Sequence, residues 1–379
     1  MTLSFEKVTY FTLGLIAFAL SFTSLREMGL GRSLEILFFL LILTALALLI
    51  HQRKINLNVS FIPFLFFIFF MAPLTFLNFF QGFPGSSIET LFALILASIA
   101  GFTISQSSNK NMIISSYGMG ISSFSILLIL FFSGFSFDGL VRFSALSDNP
   151  NQLALYSLSA LLLVTLFLEN SIHKFIFAAV LIICGALAIS DAFFLAVGVG
   201  LFFYVFSKSI VSSMFLVFIL PMLITAILLL FLWTSTFYDL SILSNLIELW
   251  RTADQGGTRS SLYINGLIAF SYAPILGYGG GAFAGISIPF EKFEAHNTLI
   301  DFATMGGVIL PLIFYLPFLV GFFSSLKKDP IQNAAISAFM AFSMFHFVGR
   351  HPIVWMAWGA CLTVFILKSD RSKELRPRS

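Results

Sequence analysis

The sequence predicts an all-α, polytopic integral membrane protein with about 12 transmembrane helices. Of its 379 residues, 59% are hydrophobic and only 10% are charged, and the mean hydropathy is +1.00. Soluble domains carry about a quarter charged residues, so this chain has too few charges to coat a water-facing surface. Its apolar excess, which includes 50 Phe residues, is therefore expected to face lipid in helices that satisfy their own backbone hydrogen bonds.

Twelve apolar runs are long enough to be interpreted as spans of about 20 residues. They occupy 8–25, 34–50, 59–80, 88–105, 111–133, 152–168, 175–190, 192–207, 210–233, 297–323, 332–348 and 352–368. The first run follows the acidic Glu6, which favours a retained helix over a cleaved signal peptide. The seventh and eighth are separated only around Asp191, so they predict a tight hairpin. The whole chain, 1–379, is predicted to be one transmembrane domain.

The basic residues predict the orientation of these helices. An even number of spans puts both termini on one side, and cytoplasmic segments of membrane proteins are rich in Lys and Arg. With both termini in the cytoplasm, the outer segments hold seven of the 20 basic residues, namely Arg26, Arg32, Arg142, Arg251, Arg259, Lys292 and Arg350. The net charge of +3 gives no indication of nucleic-acid binding.

Two outer segments are longer than simple turns. One runs from Ser133 to Gln152, and the other covers 234–295 between the ninth and tenth predicted helices. Connections of this length usually carry function. Within the second, 259–273 is expected to form a short amphipathic helix at the membrane interface. The glycine-rich stretch at 274–283, PILGYGGGAF, follows it, and glycines let backbone approach a ligand closely.

His296 and Asn297 stand at the outer start of the tenth run, after the polar sequence EKFEA. Asn is a favoured residue before the first turn of a helix, and the positive end of a helix favours the neutral form of a histidine. A neutral imidazole can accept the proton of an attacking hydroxyl, and Glu291 and Glu294 could orient it. From position alone, the two residues could also be only a polar helix start.

Three outer arginines are candidate anion-binding residues. Arg142 lies in RFSALSDNPN, Arg259 in GGTRSS, and Arg350 in the last outer turn with His351. A guanidinium matches phosphate oxygens, but an arginine near a membrane surface can also snorkel to lipid phosphates, and Arg350 could belong to an ordinary loop. The outer segments lack an Asp-x-Asp pair, so neither a metal nor a cofactor is indicated.

The two cysteines, Cys184 and Cys361, both lie inside apolar runs. Free cysteine behaves as a small hydrophobic residue, and no metal-ligand spacing surrounds either of them. We therefore expect both to be small buried side chains.

At these residues the chain resembles the O-antigen ligase and O-antigen polymerase family of bacterial envelope enzymes. The resemblance covers about 140–350. The motifs that carry it are RFSALSDNPNQLALY at 142–156, GGTRSSLYINGLIAFSYAPILGYGGGAF at 256–283 and HNTLIDFATMGGVIL at 296–310. The spacing from His296 and Asn297 to Gly307 looks like the histidine motif of the family, and the long outer loop before a late helix also matches it.

The resemblance implies a metal-independent glycosyltransferase of the all-helical membrane class, GT-C, in the bacterial inner membrane. Such enzymes take a glycan from undecaprenyl diphosphate at the periplasmic face and pass it to a sugar hydroxyl. The acceptor is lipid A–core in a ligase and a growing repeat in a polymerase. By the same resemblance, Arg259 holds the diphosphate, His296 helps to activate the acceptor, and 234–295 is a periplasmic loop.

One position departs from the family pattern. Ligases carry a second essential arginine at the outer tip of an earlier hairpin, where this chain has Asp191. The difference tilts the prediction slightly from ligase towards polymerase of a surface polysaccharide, and Arg142 is expected to supply the missing charge. Asn297 and Arg350 complete the expected substrate-binding residues. The expected partners are the lipid-linked glycan, a glycan or lipid A–core acceptor, membrane lipid and, for a polymerase, a chain-length regulator.

A lipid-linked oligosaccharide flippase or transporter is the alternative of another class. Such a protein would need ionisable residues near the middle of the bilayer and discontinuous helices. The predicted spans are nearly free of charge at that depth, and the polar residues gather at the outer face. This distribution favours an enzyme of lipopolysaccharide or exopolysaccharide biosynthesis.

Overall fold

The computed structural model describes residues 4–21, 33–56, 58–132, 149–169, 172–207, 256–284, 293–326 and 328–367. These residues form helices joined by turns, and no strand occurs among them. Five of the helices are long and apolar enough to cross a membrane. The predicted all-helical class is therefore confirmed for this part of the chain, and its long apolar helices are consistent with a membrane-embedded protein.

The first eight helices lie on the amino-terminal side of the long outer loop. They are α1 (Phe5–Ala19), α2 (Ser33–His51), α3 (Val59–Phe80, with a π turn at Phe67–Met71), α4 (Ile88–Gln106), α5 (Asn109–Phe132), α6 (Pro150–Phe167), α7 (Ile172–Leu187) and α8 (Asp191–Phe206). Five more follow it. They are α9 (Gly256–Tyr272), α10 (Thr298–Gly306), α11 (Ile309–Ser325), α12 (Pro330–Ser343) and α13 (Pro352–Cys361, continued by a π turn at Leu362–Leu367).

These helices coincide closely with the predicted apolar runs. Ten of the twelve runs coincide with a helix whose ends lie within several residues of the predicted ends, and the tenth run is covered by two helices. The ninth run, 210–233, lies outside the described residues. The expected short helix in the outer loop is present as α9. The number of spans and the placement of α9 at the membrane interface stay predictions.

Local sequence signals explain where several helices begin. The side chains of Asn149, Asn297 and Asp329 each accept a backbone N–H from the first turn that follows. Each of these groups is a donor that a helix start otherwise leaves unsatisfied. Pro150 and Pro330 occupy the first helical position, where no N–H is needed. Each of these polar turns thus ends at a residue that caps the apolar helix after it.

Polar contacts hold neighbouring helices in register at the predicted cytoplasmic end. The Tyr10 hydroxyl of α1 is 2.8 Å from the hydroxyl of Ser107, and the amide of Asn111 in α5 donates to Glu6 at 2.8 Å. On α13, the Thr363 hydroxyl donates to the carbonyl of Ser105 in α4 at 3.0 Å. These bonds fix which helix ends lie together.

Aromatic residues fill the centre of the bundle. The Trp355 side chain is fully buried, with its ring centroid 5.7 Å from that of Phe67 and 5.6 Å from that of Phe314. Other large apolar side chains are exposed, and on α11 they follow one face at Leu312, Leu316, Leu319 and Phe323. An exposed apolar face of this length suits lipid, where it needs no partner.

The tenth predicted run is not one continuous helix. The prediction of a single helix over 297–323 is wrong, because α10 ends at Gly306 and α11 begins at Ile309. Between them Gly307 has φ 59° and ψ −156°, a conformation that is essentially confined to glycine. A Cβ at Gly307 would also overlap the carbonyl oxygen of Ile275. The break therefore depends on a glycine that hydropathy does not reveal.

The glycine-rich stretch supplies the hydrogen bonds that this break requires. The N–H groups of Tyr278 and Gly279 donate to the carbonyls of Thr304 and Met305 at the end of α10, at 2.9 and 2.8 Å. In return, the Val308 N–H donates to the carbonyl of Pro274 at 2.8 Å. A helix break inside a membrane protein is tolerated only when its freed backbone groups find such partners.

We expect Gly307→Ala to lower the free energy of unfolding by at least about 1–3 kcal/mol, because it forces a side chain into a glycine conformation. The measurement is thermal unfolding in detergent. Gly198→Ala is the matched control, since a Cβ at Gly198 in α8 meets no atom within 4 Å. Equal melting temperatures for the two variants would contradict the structural role given to Gly307.

Candidate functional site

The predicted site residues occupy one end of the bundle as far as the structure describes them. His296 and Asn297 immediately precede α10, and Arg350 lies in the turn between α12 and α13. Arg259 is in the first turn of α9. Arg142 lies outside the described residues. Three segments far apart in sequence thus end near the start of α10.

Asn297 begins α10 as its capping residue. Its side-chain oxygen accepts the N–H groups of Leu299 at 3.0 Å and Ile300 at 3.2 Å. Two of the donors that a helix start leaves unsatisfied are therefore bonded. The expected helix start at Asn297 is confirmed, while a role for this residue in binding substrate stays a prediction.

The backbone of His296 has φ 55°, in the left-handed region. Few non-glycine residues adopt this conformation, although histidine is among those in which it is more frequent. Holding it costs on the order of 1 kcal/mol, and such residues cluster at functional sites. His296 is half-buried. His296 therefore has a constrained backbone, while a role for it in activating an acceptor stays a prediction.

A single hydroxyl connects the start of α10 to the turn before α13. Thr298, fully buried, donates its hydroxyl hydrogen to the carbonyl of His346 at 2.6 Å and accepts the N–H of Val348 at 3.0 Å. The turn that carries Arg350 is thereby held against the residues that follow His296. Nothing in the sequence pattern singles out Thr298 for this role.

Arg350 forms an ion pair with Glu294. Its two terminal nitrogens donate to the two carboxylate oxygens at 2.6 and 3.4 Å, and its guanidinium lies 5.8 Å from the ring centroid of Phe347. The Arg350 side chain is 45% exposed, whereas that of Glu294 is only 14% exposed. The carboxylate of Glu294 therefore already pairs with the charge of Arg350, while binding of an anion by Arg350 stays a prediction.

Burial and the ion pair act in opposite directions on Glu294. Burial raises the pKa of this carboxyl above its ordinary value, and the neighbouring Arg350 lowers it, with burial the larger effect. The expectation that Glu294 could orient His296 is not tested by this contact. Its observed partner is the arginine of another turn, so Glu294 connects the two loops electrostatically.

Helix α9 packs against the start of α10 through small and aliphatic residues. Leu262, Ala284, Ala295 and Ile300 form one buried cluster. Leu262 follows Arg259 by three residues, and Ala295 directly precedes His296. The cluster therefore anchors α9, the helix that carries Arg259, beside the segment that carries His296; the joint role of the two residues stays a prediction.

A second imidazole lies near the same turn. His351 precedes α13, and its Nδ1 is 3.5 Å from the hydroxyl of Tyr156 in α6, with the rings edge to face. Tyr156 is the last residue of the motif at 142–156, and it is 4% exposed. The contact brings the first resemblance motif to the end of the molecule where the third one begins.

The glycine-rich stretch contacts protein rather than open space. A Cβ at Gly279 would lie 2.6 Å from the backbone nitrogen of Thr75 in α3, and the Gly280 N–H donates to the Thr75 hydroxyl at 2.6 Å. The Asn78 amide donates to the carbonyl of Tyr278 at 2.8 Å. The close approach expected at these glycines is made to α3, which gives the stretch a structural role.

Asp191 occupies the outer tip of the α7–α8 hairpin, as its sequence position predicts. It is exposed in the first turn of α8, where a carboxylate is favoured by the helix dipole. Within the described part of the chain the structure gives it no ion pair. The helix start is the physical reason that it needs none.

The two cysteines are buried side chains. Cys184 and Cys361 are both free and fully buried, which confirms the expectation of small buried side chains. Among the described residues, no group of three or more His, Cys, Asp or Glu side chains is arranged to hold a metal ion.

Sequence reasoning missed Asp301, which lies in the first turn of α10 and has no exposed surface. Its carboxylate accepts the N–H of Ala295 at 2.7 Å and that of Asn297 at 3.2 Å. The available signal was an acidic residue inside an otherwise apolar run, which is rare in membrane proteins and marks functional positions.

Comparisons with known proteins add no identification. No model of a known protein family matches the chain, and no curated protein matches it. The family resemblance therefore depends on the three quoted motifs and on the order in which they occur.

We expect Arg350→Met to make stability more sensitive to pH. A carboxyl whose pKa is higher in the folded than in the unfolded protein binds more protons when folded, so the free energy of unfolding falls as pH rises through that interval. Burial already places Glu294 in this class, and removing Arg350 raises its pKa further. The extra loss between about pH 5 and about pH 8 should be on the order of 1 kcal/mol.

The measurement is the melting temperature in detergent across this pH range. Lys54→Met removes an exposed cation at the other end of the bundle and should keep the pH dependence of the parent. Adding Glu294→Gln to Arg350→Met should abolish the extra dependence. If the single variant and the parent give parallel curves, the ion pair has no energetic role.

Proposed function

We propose that the protein is a glycosyltransferase of the bacterial inner membrane that uses a glycan linked to undecaprenyl diphosphate. In this proposal the glycan passes to a sugar hydroxyl at the periplasmic face, and polymerisation of a surface polysaccharide is favoured over ligation to lipid A–core. The chain crosses the membrane twelve times, with both termini in the cytoplasm. The support comes from the order of the motifs and from the surroundings of His296.

The observation that carries the proposal is the strained backbone of His296 at the end of an apolar helical bundle. Its φ of 55° is maintained although a relaxed conformation would be more stable. The resemblance assigns acceptor activation to this residue, and one buried cluster that contains Leu262 and Ala295 connects α9, which carries Arg259, to the segment before α10. A polar helix start alone would require neither feature.

The proposed reaction uses His296 as a general base. The acceptor hydroxyl gives its proton to the imidazole while its oxygen bonds to the anomeric carbon of the donor sugar. The bond between that carbon and the diphosphate oxygen breaks, and its electrons leave with undecaprenyl diphosphate. Arg259 stabilises the charge that develops on this leaving group. Proton abstraction would accelerate the step by about 100-fold to 10,000-fold.

The donor also explains why the site belongs at the end of lipid-facing helices. A polyprenyl chain is as apolar as the exposed faces of α11, so the donor can remain in the bilayer while its diphosphate reaches the membrane surface. The arginines then lie at the same depth as the diphosphate of the donor. The sugar hydroxyl of the acceptor would approach from the aqueous side.

Asp191 is the reason for favouring a polymerase. The resemblance places an essential arginine of ligases at this hairpin tip, and an exposed carboxylate there would repel the donor diphosphate. Arg142 is the proposed replacement. The distinction between the two activities is made by the product, since a polymerase lengthens the glycan and a ligase transfers it to lipid A–core.

We expect His296→Ala and Arg259→Ala each to reduce glycan transfer by at least about 100-fold, because each removes a group that acts on the reacting atoms. The assay uses purified protein, lipid-linked donor and acceptor, with EDTA present throughout because the mechanism needs no metal. Transfer at the parental rate by either variant would remove that residue from the mechanism.

His51→Ala and Arg53→Ala are the matched controls, since both residues are exposed near the end of α2 on the predicted cytoplasmic side. They should retain parental activity. Membrane abundance and melting temperature are compared for all four variants, so that a loss of transfer is not confused with a loss of folded protein.

We expect Arg142→Ala to be nearly inactive and Arg142→Lys to be impaired, while Asp191→Ala is milder than Arg142→Ala. A close pair of unit charges at an effective dielectric of about 20 is worth on the order of 4 kcal/mol before desolvation. Losing one such contact with the diphosphate should therefore lower turnover by orders of magnitude. Turnover is measured at equal membrane abundance, and parental turnover by Arg142→Ala would show that this arginine only contacts lipid headgroups.

A further inference from the structure

Asp301 is an acid that the proposed reaction does not use directly. It has no exposed surface and lies one turn into α10, so it cannot touch a substrate. Burying an ionisable group among apolar helices is costly unless polar partners satisfy it. A carboxyl kept in such a place therefore requires a physical reason.

The two partners of Asp301 lie on either side of His296. One carboxylate oxygen accepts the N–H of Ala295 at 2.7 Å, and the other accepts the N–H of Asn297 at 3.2 Å. Backbone N–H groups around a left-handed residue can turn to the same side and form a concave site for an anion. Asp301 supplies two acceptor oxygens for such a site from within the chain, and the residue between the two donors has φ 55°.

The bonds of Asp301 therefore stabilise one conformation of the His296 backbone. Asn297 and Thr298 fix the residues that follow His296, through the cap of α10 and the tie to the turn at 346–348. Of Asn297, Thr298 and Asp301, only Asp301 accepts hydrogen bonds from the backbone on both sides of His296. Its effect on the imidazole is exerted through the main chain.

We infer that Asp301 is a positioning residue for His296, an inference that rests on the proposed function. By holding the left-handed backbone at His296, it aims the imidazole at the place where the acceptor hydroxyl binds. A general base must come within hydrogen-bond reach of the proton that it removes. A displacement of about 1 Å lowers the rate by about 100-fold.

Asp301→Asn tests this inference with almost no change in size. Asparagine keeps one acceptor oxygen and replaces the other by an amide group that cannot accept from an N–H. We expect kcat to fall by about 100-fold while KM for the donor changes little, because binding residues are untouched. Asp301→Glu restores two acceptor oxygens and should recover part of the lost kcat.

Thr304→Val is the matched control. Thr304 is buried on the same helix, and its hydroxyl donates only within the helix, to the carbonyl of Asp301 at 2.8 Å. Its loss removes a buried polar group at similar depth without changing the bonds on either side of His296. This variant should keep kcat within about twofold of the parent.

Two further measurements separate positioning from a general structural role. In a His296→Ala background, Asp301→Asn should cost no more than about twofold in residual activity, because residues that act as a unit are not additive. Carbethoxylation by diethyl pyrocarbonate, followed by peptide mass spectrometry, reports the surroundings of His296 without any need for activity. Its rate at His296 should change in Asp301→Asn and stay constant at His51.

The outcomes distinguish this inference from the proposed function. If the parent transfers no glycan, the proposed function is wrong, and the modification rate at His296 alone decides whether Asp301 controls that residue. Parental kcat in Asp301→Asn, or an equal loss with and without His296, overturns the inference. Failure of both Asp301 variants to accumulate in the membrane, with Thr304→Val accumulating normally, also overturns it, since Asp301 would then be required for folding.

Discussion

The fold depends on one constraint, which is that lipid offers no hydrogen bonds to the backbone. Continuous helices meet this constraint by themselves, and most of the described chain consists of them. The backbone at the Gly307 break cannot satisfy all of its own hydrogen bonds. The glycine-rich stretch at 274–283 therefore packs against it and exchanges three backbone hydrogen bonds with 304–308. Residues 274–283 therefore pack at the interruption between α10 and α11. The start of α10 is fixed at the same time.

The same requirement shapes the surroundings of His296. The residues on either side of His296 are each held by a described contact: Glu294 by Arg350, Ala295 and Asn297 by Asp301, and Thr298 by the turn at 346–348. A backbone constrained on both sides can retain a conformation that costs energy in isolation. In the proposed reaction such a backbone would suit a general base, because the imidazole would have to stay in place when the acceptor binds.

Hydropathy predicted the positions of the helices because lipid imposes a length and an apolar composition on every span. The residue type at Asn297 predicted the cap, because capping depends on neighbouring residues alone. Hydropathy could not predict the break at Gly307, which follows from contact with Ile275 and not from a change in composition. The ion pair of Arg350 with Glu294 and the bonds of Asp301 join residues through tertiary structure. From the sequence, Arg350 and Glu294 were therefore recognised only as separate charged residues, and Asp301 was missed.

The ion pair also bears on which arginines would bind a diphosphate in the proposed reaction. An anion at Arg350 would have to compete with both oxygens of Glu294, whose side chain is only 14% exposed. Displacing a mostly buried carboxylate from its partner is costly, because it leaves an uncompensated charge. Arg259 lies instead in the first turn of α9, where the unsatisfied N–H groups and the helix dipole add to the attraction for an anion. Arg350 is therefore better suited to holding the loop beside His296, and the charge of the donor would fall mainly on Arg259 and on a second cation such as Arg142.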